Sequence, residues 1–472
     1  MKLDKKNFSE WYNTVLADCD IVDLRYPVKG MPVYKAWGFK TLRKCFELLE
    51  RALNESGHEE MLFPILVPED VFGKEAEHIR GFGGEVLWVT HGGEQKLERN
   101  LALRPTSETI MYPMFALWIR SHADLPLKLH QTVCIYRSET KATRPLIRGR
   151  EVYWSEAHTA HATPEDAEKQ IAEGVRIYGD FFHSLGIPFT ALKRPEYDKF
   201  AGAKYSIAFD ILMPDGKTLQ SGTVHNLGEN FARVYDVAYS DEKGEKHFCS
   251  QTCYGLSMRC LASVISVHGD DKGLVLPPIV SPIQAVIIPI FVGENKEAIA
   301  KKCESLALQL KKAEIRAHVD ARDVRPGEKF YYWESRGIPV RVELGPKDME
   351  KKQVVLVNRV SGKKRSIAEK ELVEELQKEF EESSKELFAR AEKELKARIK
   401  SADSMSELKK IFLKENGFVK VGWCGSAECA DSIKTETGGA EVRGSSWPEK
   451  KERKKCIFCG KEGEATWIAK AY

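Results

Sequence analysis

Residues 137–151, RSETKATRPLIRGRE, hold four arginines and two glutamates in fifteen positions. An apolar run, TVCIY, leads into the stretch and EVYWSEAHT leads out of it, so the segment reads as a strand, a cationic loop and a return strand. Solvated surfaces usually carry lysine, whereas arginine is favoured where a planar fork must hold an oxyanion. In such a hairpin Arg137 ends the first strand and Glu139, two residues on, projects from the same face. The loop then brings Arg148 and Arg150 back, so a polyphosphate can be clamped from more than one side while Glu139 accepts from an exocyclic amine. A salt-bridged hairpin is the alternative that the pattern alone leaves open.

The rest of the chain narrows the choice. Its 73 basic and 70 acidic residues leave a net charge of only +3, so bulk electrostatics does not bind a nucleic acid here and any such contact must be a local patch. A length of 472 residues gives room for roughly two to four domains. The eleven cysteines, an odd number partly clustered near the end, suit a reducing compartment better than a disulfide framework. No signal peptide is legible in MKLDKKNFSEWYNTVLADCD. The apolar run at 273–293 is long enough for a membrane, but Pro277, Pro278, Pro282, Pro289 and Gln284 make it a linker entering a buried strand, AVIIPIFV. The expected location is the cytoplasm, with no membrane attachment.

Leu42, Phe46, Leu49 and Leu53 share one face of a helix predicted over 38–57, and MLFPILVP follows as a strand broken by Pro64. Between 85 and 260 strands dominate (EVLWVT, KLHQTVCIYR, EVYWSEAHT, YSIAFDILM, RVYDVAY), with helices predicted at 106–122 and 164–185. The glycine-rich stretch 81–93 lacks dinucleotide-loop spacing and reads as a loop feeding a hairpin. From about residue 280 strands and helices alternate as a compact α/β unit, and 364–415 reads as a solvated helical connector rich in Glu and Lys. The fold class is therefore α+β, built on a large, mostly antiparallel sheet.

Three elements in order resemble the signatures of class II aminoacyl-tRNA synthetases: the long helix leading to Pro64, YRSE with its loop, and GLSMR at 255–259 opening an apolar helix. RPTSE (104–108), RGREVYWSEAHTAHAT (148–163), LQSGTVHNLGENF (219–231) and RPGEKFYYWESRGIPVRVELGPKD (325–348) resemble prolyl-tRNA synthetases in particular. A four-cysteine C-terminus ending in Tyr472 is similar to the archaeal and eukaryote-like type. The resemblance implies a catalytic domain over 1–278, an anticodon-binding domain over 279–383 and a zinc-binding C-terminal domain over 384–472. It also implies a homodimer, since the first signature forms the subunit interface in this class. The short interval between the second and third signatures leaves no room for an inserted editing domain.

Proline presents a small apolar ring, a secondary ammonium and a carboxylate, so its pocket needs an anion and a hydroxyl, a flat apolar wall and a cation. The resemblance places Thr106, Glu108, Arg137, Trp154, Glu156, His158, His225 and Cys253 there, with Cys253 a departure from the serine usual in relatives. For ATP, accompanied by Mg²⁺, it implies Arg137 on the α-phosphate, Glu139 on the adenine amine, Arg148 on the γ-phosphate, Arg259 on the phosphate chain, and Gln220 and Thr223 on the nucleoside. Arg137 and Arg259 would then carry catalysis. Spacing alone also allows Thr106 and Glu108 to be a helix-capping pair. The pair His158 and His161 lacks an evident third metal ligand. Phe330, Glu334, Arg341 and Lys347 align with residues that read the anticodon of tRNA(Pro), although Phe330 and Trp333 also suit a helix core. Cys424, Cys429, Cys456 and Cys459 form two pairs suited to a structural Zn²⁺, with unbound or redox cysteines as the alternative.

Overall fold

The computed structural model describes residues 3–73, 85–291, 296–449 and 452–472; the start of the glycine-rich stretch, 81–84, lies outside them. One sheet of eleven strands organises the molecule. Its centre consists of β1 (Leu127–Tyr136), β2 (Glu151–His161), β3 (Thr190–Lys193), β4 (Tyr205–Leu212), β5 (Thr218–Gly228) and β6 (Ser250–Ser257), in the antiparallel order β3-β4-β5-β6-β2-β1. The arginine-rich segment is the turn of the β1–β2 hairpin. Tyr136 lies opposite Glu151, and the Arg137 N–H donates to the Arg150 carbonyl at 2.8 Å.

Helices α1 (Ala36–Glu55), α2 (Pro164–Ser184) and α3 (Arg259–His268) form the layer behind this sheet: α2 and α3 pack on β5 and β6, and α1 packs on both helices. The predicted α1 stripe of Leu42, Phe46, Leu49 and Leu53 is fully buried. Gly38 lets that helix approach the chain at Ile21, whose carbonyl would lie 2.4 Å from a Cβ. Because strand side chains alternate, Ala157, Val224 and Tyr254 bury in this layer while Glu156, His158, Thr223, His225 and Cys253 line the cavity on the other face.

Two expectations are corrected. RVYDVAY is not a strand: Asn230–Tyr235 is helical, Asp236 ends the helix at φ 58°, and only Ala238–Ser240 extends. The spacing of the buried Phe231, Ala232 and Tyr235 is that of a helix face, with Val234 turned to solvent. Nor is 364–415 a solvated connector. It contains the strand Lys364–Ala368, helix α4 (Leu372–Ala397), the strand Ile399–Ser401 and the helix Met405–Lys414, and α4 buries Leu372, Leu376, Leu387 and Leu395.

The α/β unit has a five-stranded sheet in the order Ala317–Val319, Ala285–Pro289, Val340–Leu344, Gln353–Asn358, Lys364–Ala368. It is clamped to the catalytic unit by Arg359, bidentate to Asp270 at 2.7 Å on both oxygens, and by the edge contact of Trp37 with Trp333. The C-terminal strands β7 (Phe418–Trp423), β8 (Ala440–Ser446) and β9 (Glu464–Lys470) do not form a separate sheet. β8 pairs with β3 through Ser445–Lys193 and Ser446–Leu192, so the catalytic sheet runs on into this unit. No described helix is long and apolar enough to cross a membrane.

Candidate active site

All thirteen residues expected to bind proline or ATP line one cavity of about 310 Å³, whereas Arg150 and His161 do not. At one end sit Thr106 and Glu108, where the chain enters the helix Glu108–Trp118. Thr106 donates to the Glu108 carboxylate, and that helix start has no side-chain cap bond, so the pair is not a cap. The Cys253 thiol lies 3.7 Å from the other Glu108 oxygen. Glu156 accepts from Ser107, from Gln131 at 2.7 Å and from His158 Nε2 at 3.1 Å, while His158 Nδ1 meets the Tyr112 hydroxyl at 3.0 Å. Ligand atoms of Glu108, His158 and Cys253 lie within 4.8 Å of one another, but both imidazole nitrogens of His158 are already engaged.

The two histidines are shifted in opposite directions. Burial opposes protonation of His158, yet the hydrogen bond to Glu156 and the charges of Glu108 and Glu156 raise its pKa. His225, bonded to Ser206 at 2.7 Å, is pushed down to about 3 by burial and then by His158. Trp154 also lines the cavity, with the Arg137 guanidinium 5.7 Å from its ring centre.

The other end is cationic. Arg148 pairs with Glu139 at 3.3 Å, and Arg259 donates to the carbonyls of Ile147 (2.8 Å) and Gln220 (2.9 Å). Burial, then Arg148, Arg137 and Arg443, lowers Arg259 to about 10 against the raising charge of Asp210. Sequence reasoning did not find Arg194, which donates to Gln220 Oε1 at 2.5 Å, or Asp210 and Arg443 behind it. The C-terminus also arrives here: Tyr472 donates to Asp215 at 2.8 Å, and its terminal oxygen lies 3.4 Å from Arg148.

Farther away, Arg341 stacks on the half-buried Phe330 at 4.1 Å and donates to Glu343. Lys347 is exposed, and Glu334 accepts from Lys272 of the catalytic unit at 2.9 Å. Trp333 belongs to the core and donates to Asp320. The sulfurs of Cys424, Cys429, Cys456 and Cys459 lie within 4.8 Å of one another, unbonded, as a tetrahedral thiolate set requires. Gly422 permits the closure, since a Cβ there would meet the Lys455 carbonyl at 2.0 Å.

A mostly antiparallel sheet carrying these arginines on the β1–β2 turn and at the start of α3 defines a class II aminoacyl-tRNA synthetase. Residues 88–268 match the tRNA synthetase class II core domain (G, H, P, S and T), 284–379 the anticodon binding domain, and 405–472 the prolyl-tRNA synthetase C-terminal domain. The proline–tRNA ligase of Methanopyrus kandleri is 49% identical, with 99% of this chain and 97% of that protein covered. That of Thermococcus kodakarensis is 47% identical over 97% and 96%. The Giardia lamblia prolyl-tRNA synthetase in complex with prolyl-adenylate superposes with a TM-score of 0.95 at 35% identity, over 100% of this chain and 99% of that one. The chain belongs to the proline–tRNA ligase family.

Proposed function

We propose that the cavity forms prolyl-adenylate from L-proline and ATP and then passes proline to the 3′ end of tRNA(Pro). The observation that carries this reading is the polarity of the cavity, with carboxylates and a flat aromatic wall at one end and Arg148 and Arg259 at the other. Proline's ammonium meets Glu108 and Thr106, its ring lies against Trp154, and His158, His225 and Cys253 close the pocket, with Glu156 holding His158. Arg137 bridges the proline carboxylate and the α-phosphate. Glu139 accepts from the adenine amine, Gln220 and Thr223 hold the nucleoside, and Arg148 and Arg259 hold the phosphate chain with the Mg²⁺ that accompanies ATP. A carboxylate oxygen attacks the α-phosphorus in line, the bond to the bridging oxygen breaks, and pyrophosphate leaves. A terminal ribose hydroxyl then attacks the anhydride carbonyl and AMP departs. No protein nucleophile is required; positioning and charge stabilisation do the chemistry. ATP–pyrophosphate exchange measured with each of the twenty amino acids should be strongest with proline. Preference for serine or threonine, or no exchange, would refute the reading.

The division of labour follows 1–278 for catalysis, 279–383 for the anticodon and 384–472 for zinc. From 151 to 259 the chain runs through strands of the catalytic sheet, their helices and turns, and one small hairpin (Ala238–Ser240 with Lys246–Phe248), which supports the absence of an inserted editing domain. Phe330, Glu334, Arg341 and Lys347 are assigned to the anticodon. The Glu334–Lys272 pair is partly exposed and worth at most about 1 kcal/mol. Glu334→Ala should therefore lower charging of tRNA(Pro) roughly tenfold or more, the loss of a charged hydrogen bond, while pyrophosphate exchange stays near wild type. Equal loss of both activities would count against this assignment.

The four thiolates suit Zn²⁺, which would close a structural site and lock the two cysteine turns together. Exposed Leu62, Ile65, Leu117 and Trp118, joined by the Phe63–Trp118 contact, offer an apolar face beside Pro64 for a homodimer. The scattered, unpaired cysteines are consistent with a cytoplasmic location. Native mass spectrometry should find a dimer with one zinc per chain; a zinc-free monomer would contradict both assignments.

A further inference from the structure

The seam between β3 and β8 holds a buried charge cluster that the chemistry above does not use. Asp210, on β4 and fully buried, faces two guanidinium groups. Arg443, from the C-terminal strand β8, donates from Nε to Oδ2 at 2.7 Å and from Nη2 to Oδ1 at 3.0 Å. Arg194 reaches Asp210 by a single bond, from Nη2 to Oδ1 at 2.8 Å. The same Nη2 gives its second hydrogen to Gln220 Oε1 at 2.5 Å, while Nη1 donates to the Arg443 carbonyl at 2.9 Å.

This arrangement fixes which way the Gln220 amide faces. Its oxygen is taken by Arg194, so only the Nε2 hydrogens remain to meet a ligand in the cavity, and its own carbonyl is held by Arg259. Arg194 is able to serve Gln220 only because Arg443 covers both oxygens of Asp210. Without that cover a fully buried carboxylate loses two of its three donors, and the remaining guanidinium is drawn into a bidentate pair with it, away from Gln220.

We propose that Arg443 is a positioning residue for the nucleotide: through Asp210 and Arg194 it sets the Gln220 amide as a donor, so the C-terminal unit tunes ATP binding from outside the cavity. The inference rests on the reading of Gln220 as a nucleoside contact. Proline's end is built from Thr106, Glu108, Glu156 and His158, and no hydrogen bond of Arg443, Asp210 or Arg194 reaches those four side chains.

The test is pyrophosphate exchange by the full-length chain in Arg443→Lys, Gln220→Ala and the double variant. Lysine keeps the charge but cannot bridge both Asp210 oxygens, so Arg443→Lys should raise the KM for ATP roughly tenfold, the scale of one charge-assisted hydrogen bond. The KM for proline should stay within about twofold, and Arg443→Lys should add nothing in the Gln220→Ala background, as expected of residues acting through one contact. Asp210→Asn, which keeps the shape of the strand, should reproduce the ATP effect. Unchanged KM for ATP in Arg443→Lys, a parallel rise for proline, or an effect that persists without the Gln220 side chain would overturn the proposal. If Gln220→Ala leaves the KM for ATP unchanged, the nucleoside reading falls and the proposal with it. If Gln220→Ala raises it and Arg443→Lys does not, the proposal alone falls.

Discussion

Arg259→Ala is expected to lower proline-dependent pyrophosphate exchange by about 10³-fold, the scale seen when one preorganised donor is removed from a developing charge. Two main-chain carbonyls hold this side chain in place at the start of α3, so its position does not have to be organised when substrate arrives. That preorganisation has a cost. Burial and the neighbouring Arg148, Arg137 and Arg443 all disfavour the Arg259 cation, which is why its pKa falls to about 10. A triphosphate would add an attraction to each of these cations that offsets their mutual repulsion. Stability and activity should therefore separate: the alanine variant relieves repulsion but gives up two hydrogen bonds to main-chain carbonyls, so its melting temperature should change only modestly while exchange collapses. Arg259→Lys should recover only part of the rate, since it restores the charge without the two anchored N–H groups. Thermal melts run beside the exchange assay check both halves. Near-parental exchange in the alanine variant would remove Arg259 from the phosphate chain.

The features legible in the sequence were those whose chemistry is local. The β1–β2 hairpin could be read because apolar strands flank a charged turn, and α1 because four leucine and phenylalanine positions keep a helical stripe. β5 and β6 were harder to see as strands. Ser221, Thr223, His225, Asn226, Thr252 and Cys253 interrupt any apolar alternation, and several of them are polar because they line the cavity. RVYDVAY misled for the opposite reason, since its β-prone residues happen to bury at helical spacing. One signal was present and unused: Asp210 is the lone acid in the mostly apolar strand YSIAFDIL, and a buried acid demands a partner. One partner, Arg194, lies 16 positions upstream; the other, Arg443, lies 233 positions away on another unit, and only the continuation of the sheet across β3 and β8 brings it near. In the α/β unit the choice between core and surface aromatics was likewise a matter of packing, with Trp333 inside and Phe330 half-exposed beneath Arg341.

Glu108→Gln should give the second large effect, raising the KM for proline roughly 10²-fold by leaving a desolvated ammonium without its counter-charge. The substitution is nearly isosteric, and a glutamine oxygen can still accept from Thr106, so the pocket keeps its shape and the charge alone is removed. The KM for ATP should change little, because the cationic end is held by separate bonds to Ile147 and Gln220. His158 offers an independent check by NMR. Its pKa is raised against burial first by the hydrogen bond to Glu156 and next by the charge of Glu108, so its titration should move down in the variant without collapsing. With a folded-state pKa above that of the unfolded chain, His158 contributes stability at low pH that fades as pH rises through the folded value. That loss should therefore begin at lower pH in Glu108→Gln than in the parent. Selectivity supplies the sharpest discrimination. The ammonium is common to every amino acid, so exchange with alanine and with proline should fall by the same factor in Glu108→Gln. In Trp154→Ala the wall against the ring is lost, and proline alone should suffer. If Glu108→Gln instead changed the ratio of proline to alanine while sparing the KM for proline, the carboxylate would be shaping the ring pocket and the ammonium would have to be held elsewhere.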